Sequence, residues 1–109
     1  LFRSWSFGSI EYAADHLDCK LVVVLGHNHC GAVEAAIKHD PDGHIKYITD
    51  DIREAIKEEK DEYIATCLNV KHSVKVIEDN TDMKLLEEKG LEVIGAVYHL
   101  EDGHVEFLE

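Results

Sequence analysis

Leu21-Val22-Val23-Val24-Leu25-Gly26-His27-Asn28-His29-Cys30-Gly31-Ala32-Val33 is the stretch on which the fold turns. Its first five residues are branched and apolar with no polar alternation, which predicts a strand buried on both faces, as in the parallel sheet of an α/β domain. A polar loop, 26–31, ends the strand, and Ala32, Val33, Ala36 and Ile37 then resume helical spacing. In open parallel sheets the functional crevice lies at the carboxyl ends of the strands. The 26–31 loop sits at such an end and is the first place to look for chemistry.

Working outward, Ile10, Ala13, Ala14 and Leu17 fall at i, i+3, i+4 and i+7 and predict a helix from about 9 to 18. Asp40-Pro41-Asp42-Gly43 is a turn, after which Ile48, Ile52, Ala55 and Ile56 mark another helix with Thr49 as N-cap. A charged break at 58–61 precedes a longer helix carrying Tyr63, Cys67, Val70, Val74 and Ile77 as a buried stripe. Leu85 and Leu86 belong to a short helix closed by Gly90, a residue free to adopt positive φ. Residues 91–99 form a second strand, and Glu101-Asp102-Gly103-His104 turns it into a third at 105–108. The predicted fold is α/β: a mainly parallel β-sheet flanked by helices, with a C-terminal antiparallel edge hairpin.

The chain has 109 residues with no linker, repeat or low-complexity tract, and reads as a single domain over 1–109. Its only methionine is Met83 and residue 1 is Leu; the domain is therefore expected to be N-terminally incomplete. Lys and Arg number 11 against 23 Asp and Glu, a net charge of -12, so the surface repels phosphate backbones and anionic headgroups and neither nucleic acid nor membrane is expected as a partner. No apolar run approaches the roughly 20 residues needed to cross a bilayer. Three cysteines are an odd number without a dense framework, which favours reduced thiols, a reducing compartment and a cytoplasmic location.

His27 and Cys30 carry the chemistry. An imidazole and a thiolate three residues apart on one loop can face a common centre, and zinc takes these donors in tetrahedral sites. The pair follows a strand and opens a helix, so Cys30 lies at the positive end of a helix dipole. A free cysteine beside a loop histidine is the plain alternative. A phosphatase-like cysteine loop would place an Arg six positions on to grip phosphate, and that position is Ala36. A Cys–His nucleophile pair stays open, though the loop holds no carboxylate to orient the base. Cys19 precedes the strand at its far end, roughly 16 Å from Cys30 at about 3.3 Å per residue, and Cys67 on a helical stripe reads as a small apolar residue. His29, His72, His99 and the turn residues Asp102 and His104 read as solvated surface groups, His29 being close enough to hydrogen-bond within the site.

The run from Ser9-Ile10-Glu11-Tyr12-Ala13-Ala14 through Val22-Val23-Val24-Leu25-Gly26-His27-Asn28-His29-Cys30-Gly31-Ala32-Val33 resembles the β-class carbonic anhydrases. Likeness continues in Asn69-Val70, Ser73-Val74, Gly95-Ala96-Val97-Tyr98 and Gly103-His104-Val105, covering about 9 to 108. The resemblance implies a zinc enzyme interconverting carbon dioxide and bicarbonate, with a parallel sheet flanked by helices and a homodimer or higher homo-oligomer as its unit. It implies His27 and Cys30 as two of three constant protein ligands, with Gly26 and Gly31 letting the backbone fold tightly around the metal. The third ligand in the family is a cysteine in a C-x-D-S-R motif, whose Asp–Arg pair steers the catalytic water; no such motif occurs in this sequence. Three readings follow: a carbonic anhydrase whose remaining catalytic residues lie upstream, the 109 residues alone being poorly active; a non-catalytic module with a partial metal site; or a related small-molecule hydrolase, for example of carbon disulfide.

Overall fold

In the computed structural model, which describes residues 2–109 and their side chains from residue 4 onward, the chain runs through α1 (Phe2–Glu11), a π-helical segment (Tyr12–His16), β1 (Leu21–His27), α2 (Gly31–Lys38), α3 (Gly43–Ile56), α4 (Glu62–Asp79), α5 (Thr81–Glu88), β2 (Glu92–Tyr98) and β3 (Val105–Leu108). The strand order is β1-β2-β3. β1 and β2 pair in parallel, with Leu21 opposite Glu92 and His27 opposite Tyr98; β2 and β3 pair antiparallel, with Gly95 opposite Leu108 and Tyr98 opposite Val105. This is the predicted α/β architecture with its edge hairpin, reduced to a small mixed sheet. The parallel register has a functional consequence. It brings the carboxyl ends of β1 and β2 together, so the 27–30 loop and the 99–104 turn lie side by side.

Helix ends follow from local chemistry. Asp61 caps α4, its carboxylate accepting the Ile64 N–H at 2.9 Å, and Asn80 caps α5 by accepting from Asp82 and Met83 at 3.0 and 3.2 Å. α5 stops where Gly90 turns to φ 108. The Gly90 and Leu91 N–H groups then bond back to Glu87 and Leu86 at 3.0 and 3.1 Å, the paired bonds of a Schellman ending.

α4 is the keel. It packs on β1, β2, α2, α3 and α5, and its close approach to the sheet is set by two glycines. A Cβ on Gly26 would stand 2.5 Å from Val70 Cγ2, and one on Gly95 2.8 Å from Val70 Cγ1, distances that real side chains do not occupy. Between α2, α3 and α4 lies a core of Val33, Ala36, Ile52, Ile56 and Ala65, with Cys30 half-buried against it. Each large aliphatic there contributes about 1.5–3 kcal/mol by leaving water.

The structure differs from the sequence reading at several points. On α4 the buried residues are Ala65, Thr66 and Val70, whereas Tyr63, expected in the buried stripe, is 38% exposed. The first helix begins at Phe2 rather than near 9, and its final turn is π-helical. The extra residue per turn rotates the apolar stripe, so Ala14 is buried while Leu17 is 65% exposed. Thr49 is not an N-cap. α3 starts at Gly43, after the turn, and Thr49 lies fully buried inside it, its hydroxyl donating to the Lys46 carbonyl at 3.2 Å. Finally, β1 is not buried on both faces: Leu21, Val23 and Leu25 are 49%, 40% and 54% exposed, because α4 covers the opposite face and no described element packs over this one.

Candidate metal centre

His27 is the last residue of β1. Its Nδ1 lies 2.9 Å from the Asn28 carbonyl oxygen, an atom that can only accept, so Nδ1 is the donor and Nε2 is the ring nitrogen left for another partner. A backbone carbonyl holding one ring nitrogen in this way is the usual second contact of a metal-binding histidine. Cys30 sits at the N-cap of α2 with φ −78° and ψ 119°, and its carbonyl accepts the Glu34 N–H at 3.0 Å to close the first helical turn. The thiol is half-buried against the α2–α3–α4 core. The two sequence-predicted donors therefore share one short loop at the carboxyl end of the sheet.

The flanking glycines differ. Gly26 is dictated by the approach of Val70, whereas a Cβ on Gly31 would meet nothing within 4 Å, so space does not require a glycine there. Cys19 is exposed, before β1, with its thiol 3.4 Å from the Leu21 carbonyl. Cys67 is half-buried on α4. Among the described residues no group of three or more His, Cys, Asp or Glu is arranged to hold a metal ion. By chemistry alone, one imidazole nitrogen and one thiolate are two of the four donors that a tetrahedral zinc site takes.

A polar network joins this loop to the β2–β3 turn. The Asn28 N–H donates to the Tyr98 carbonyl at 3.2 Å, its Oδ1 accepts the Leu100 N–H at 3.0 Å, and its Nδ2 donates to Glu101 Oε1 at 2.6 Å. His29 Nε2 donates to the same oxygen at 2.9 Å. Beyond it His99 Nε2 donates to Glu106 Oε1 at 2.9 Å, and the Tyr63 hydroxyl donates to that oxygen too. The His99 and His104 rings stack at 4.1 Å, and His104 Nδ1 donates to Asp102 at 2.6 Å.

These bonds tune the acids. The Tyr63 hydroxyl, then the His99 ring, hold the Glu106 carboxyl below its usual range, and the same hydrogen bond to Glu106 pushes the Tyr63 phenol up. Asp102 is lowered by the His104 backbone N–H and then its ring. Glu101 is lowered first by its own backbone N–H, with His29 and Asn28 adding to the effect.

The carbonic anhydrase family model matches residues 3–105 of this chain. The chain belongs to the β-carbonic anhydrase family. A carbonic anhydrase of Mycolicibacterium smegmatis is 32% identical over 111 residues, a match covering 91% of this chain and 54% of that protein. Among solved structures, the β-carbonic anhydrase CafA of Aspergillus fumigatus superimposes with a TM-score of 0.84 at 29% identity, covering 95% of this chain and 55% of that one. Tetrameric β-carbonic anhydrases of Sordaria macrospora give 0.75 at 28% identity, covering 94% and 59%. The chain thus spans about half the length of the β-carbonic anhydrases it matches.

The spacing of His27 and Cys30 puts them on one loop, as the structure does, but no pattern in the sequence links that loop to Glu101, or Tyr63 to Glu106; His99, expected to be solvated, has a side chain only 16% exposed. The available signal was the parallel pairing itself. Once β1 and β2 run the same way, the turn after β2 must flank the loop after β1.

Proposed function

We propose that the protein carrying this chain is a zinc-dependent β-carbonic anhydrase that hydrates carbon dioxide reversibly to bicarbonate and works as a homo-oligomer. Membership of the family and a fold shared with CafA support the class of enzyme; one observation carries the residue assignment. His27 has its Nδ1 committed to the Asn28 carbonyl, which leaves Nε2 as the nitrogen to face a metal, on the loop that carries Cys30. Zinc, when bound, supplies a nucleophile at neutral pH by lowering the pKa of water to about 7. His27 and Cys30 would hold the metal; the hydrogen bonds of Asn28 keep the histidine ring from turning. The remaining donors, and a group to orient water, come from elsewhere in the working protein.

A non-catalytic module is the second reading, and the two-donor set among the described residues favours it. Stopped-flow carbon dioxide hydration by the zinc-loaded protein separates the two. The enzyme reading expects hydration that falls at least a hundredfold in Cys30→Ser and in His27→Ala, and little hydration by the 109-residue chain alone. Hydration unchanged in Cys30→Ser would remove the residue assignment, and none at all in the zinc-loaded protein would favour the module.

A further inference from the structure

Between His27 and Cys30, His29 holds φ 51°, a left-handed backbone that is unfavourable for a residue with a Cβ. Such a conformation persists when neighbouring contacts fix it. His29 is exposed, and its side chain has one strong contact, the 2.9 Å bond from Nε2 to Glu101 Oε1. That same oxygen accepts from Asn28 Nδ2 at 2.6 Å, and Asn28 is the residue whose carbonyl orients His27. One carboxylate oxygen therefore gathers both residues that lie between the two donors. Glu101 is itself held in place, because Asn28 Oδ1 accepts the N–H of the preceding Leu100 at 3.0 Å.

We propose that Glu101 is a positioning residue for the metal loop: by accepting from Asn28 and from the left-handed His29 it fixes the backbone between His27 and Cys30, and so the placement of the two donors. This inference rests on the zinc reading above only for its consequence. The clamp is a property of this chain, and its effect on the loop is measurable without metal. The two bonds that Glu101 accepts from the loop reach one oxygen, which gives the proposal a distinguishing feature: a glutamine carbonyl can accept the same two bonds, whereas alanine accepts neither.

The test compares Glu101→Gln, Glu101→Ala and Glu101→Ala/His29→Gly with the parent protein, using amide hydrogen exchange of residues 28–31 in the metal-free state and zinc affinity by chelator competition. Glu101→Ala is expected to raise exchange at residues 28–31 at least tenfold while the core amides of α4 are unchanged. It should also weaken zinc by about tenfold to a hundredfold, as loss of groups behind metal ligands does. Glu101→Gln is expected to stay within about twofold of the parent on both readouts. His29→Gly in the alanine background should restore part of the zinc affinity, because glycine adopts the left-handed backbone without the clamp. Unchanged exchange at 28–31 in Glu101→Ala, or equal losses in the glutamine and alanine variants, would overturn the proposal. If the parent binds no zinc, the zinc reading fails, while the exchange comparison still decides whether Glu101 positions the loop.

Discussion

At the scale of single residues, Gly26 is constrained by Val70, 44 positions later on another element. A methyl at Gly26 would stand 2.5 Å from Val70 Cγ2 and 3.4 Å from Thr66 Cγ2, so Gly26→Ala is predicted to destabilise the chain by about 1–3 kcal/mol through overpacking. Urea unfolding checks it, and Val70→Ala supplies the control. Shortening Val70 makes room, so the double variant should be more stable than the sum of the two single losses. Strict additivity would place the strain elsewhere. His99 is constrained in the same way: its neighbours Tyr63 and Glu106 come from α4 and β3, and no local pattern announces them.

At the scale of elements, boundaries marked by strong local chemistry were legible and those set by packing were not. The charged break at 58–61 and the glycine at 90 were read correctly because a capping carboxylate and a positive φ act within a few residues. Asp61→Ala is accordingly predicted to cost about 1 kcal/mol in urea unfolding, the usual loss for an N-cap. The first two turns of α3 leave Ile45, Tyr47 and Ile48 exposed at 57%, 73% and 55%, although Ile48 shares helical spacing with the buried Ile52, so packing rather than periodicity decides which turns are covered. The β2–β3 turn makes a pH prediction. Glu106 and Asp102 titrate below their ordinary 4.5 and 3.8 in the folded chain, so the unfolded chain takes up protons first on acidification. Their stabilisation is present at neutral pH and is lost as pH falls from the ordinary carboxylate range through the lowered values. Melting followed from pH 7 to pH 3 should show this acid-side loss, and Glu106→Gln should reduce it. An identical acid profile in that variant would contradict the assignment.

At the scale of the whole molecule the chain is a slab of 41 × 33 × 19 Å. Helices cover one side of the sheet through α4, while Leu21, Val23, Leu25 and Phe107 present apolar surface on the other, Phe107 at 64% exposure. Alternation was absent from 21–25 in the sequence, and the exposed face explains the mismatch: a strand written for burial on both sides has one side covered here. Two copies carrying -12 each repel one another, while apolar contact across this face attracts them. Self-association of the chain is therefore predicted to strengthen with salt, as screening removes the repulsion. Sedimentation velocity across a salt series checks this; a monomer at every salt concentration would contradict it.

The residue assignment depends on the proposed binding of metal by the 27–30 loop through Cys30. Cobalt titration of the chain, followed by the near-ultraviolet charge-transfer band of a thiolate–cobalt bond, tests it directly. The expected result is a band that disappears in Cys30→Ser and survives in Cys19→Ser, Cys19 lying at the opposite end of β1. A band that persists without Cys30, or one that is lost with Cys19, would contradict it.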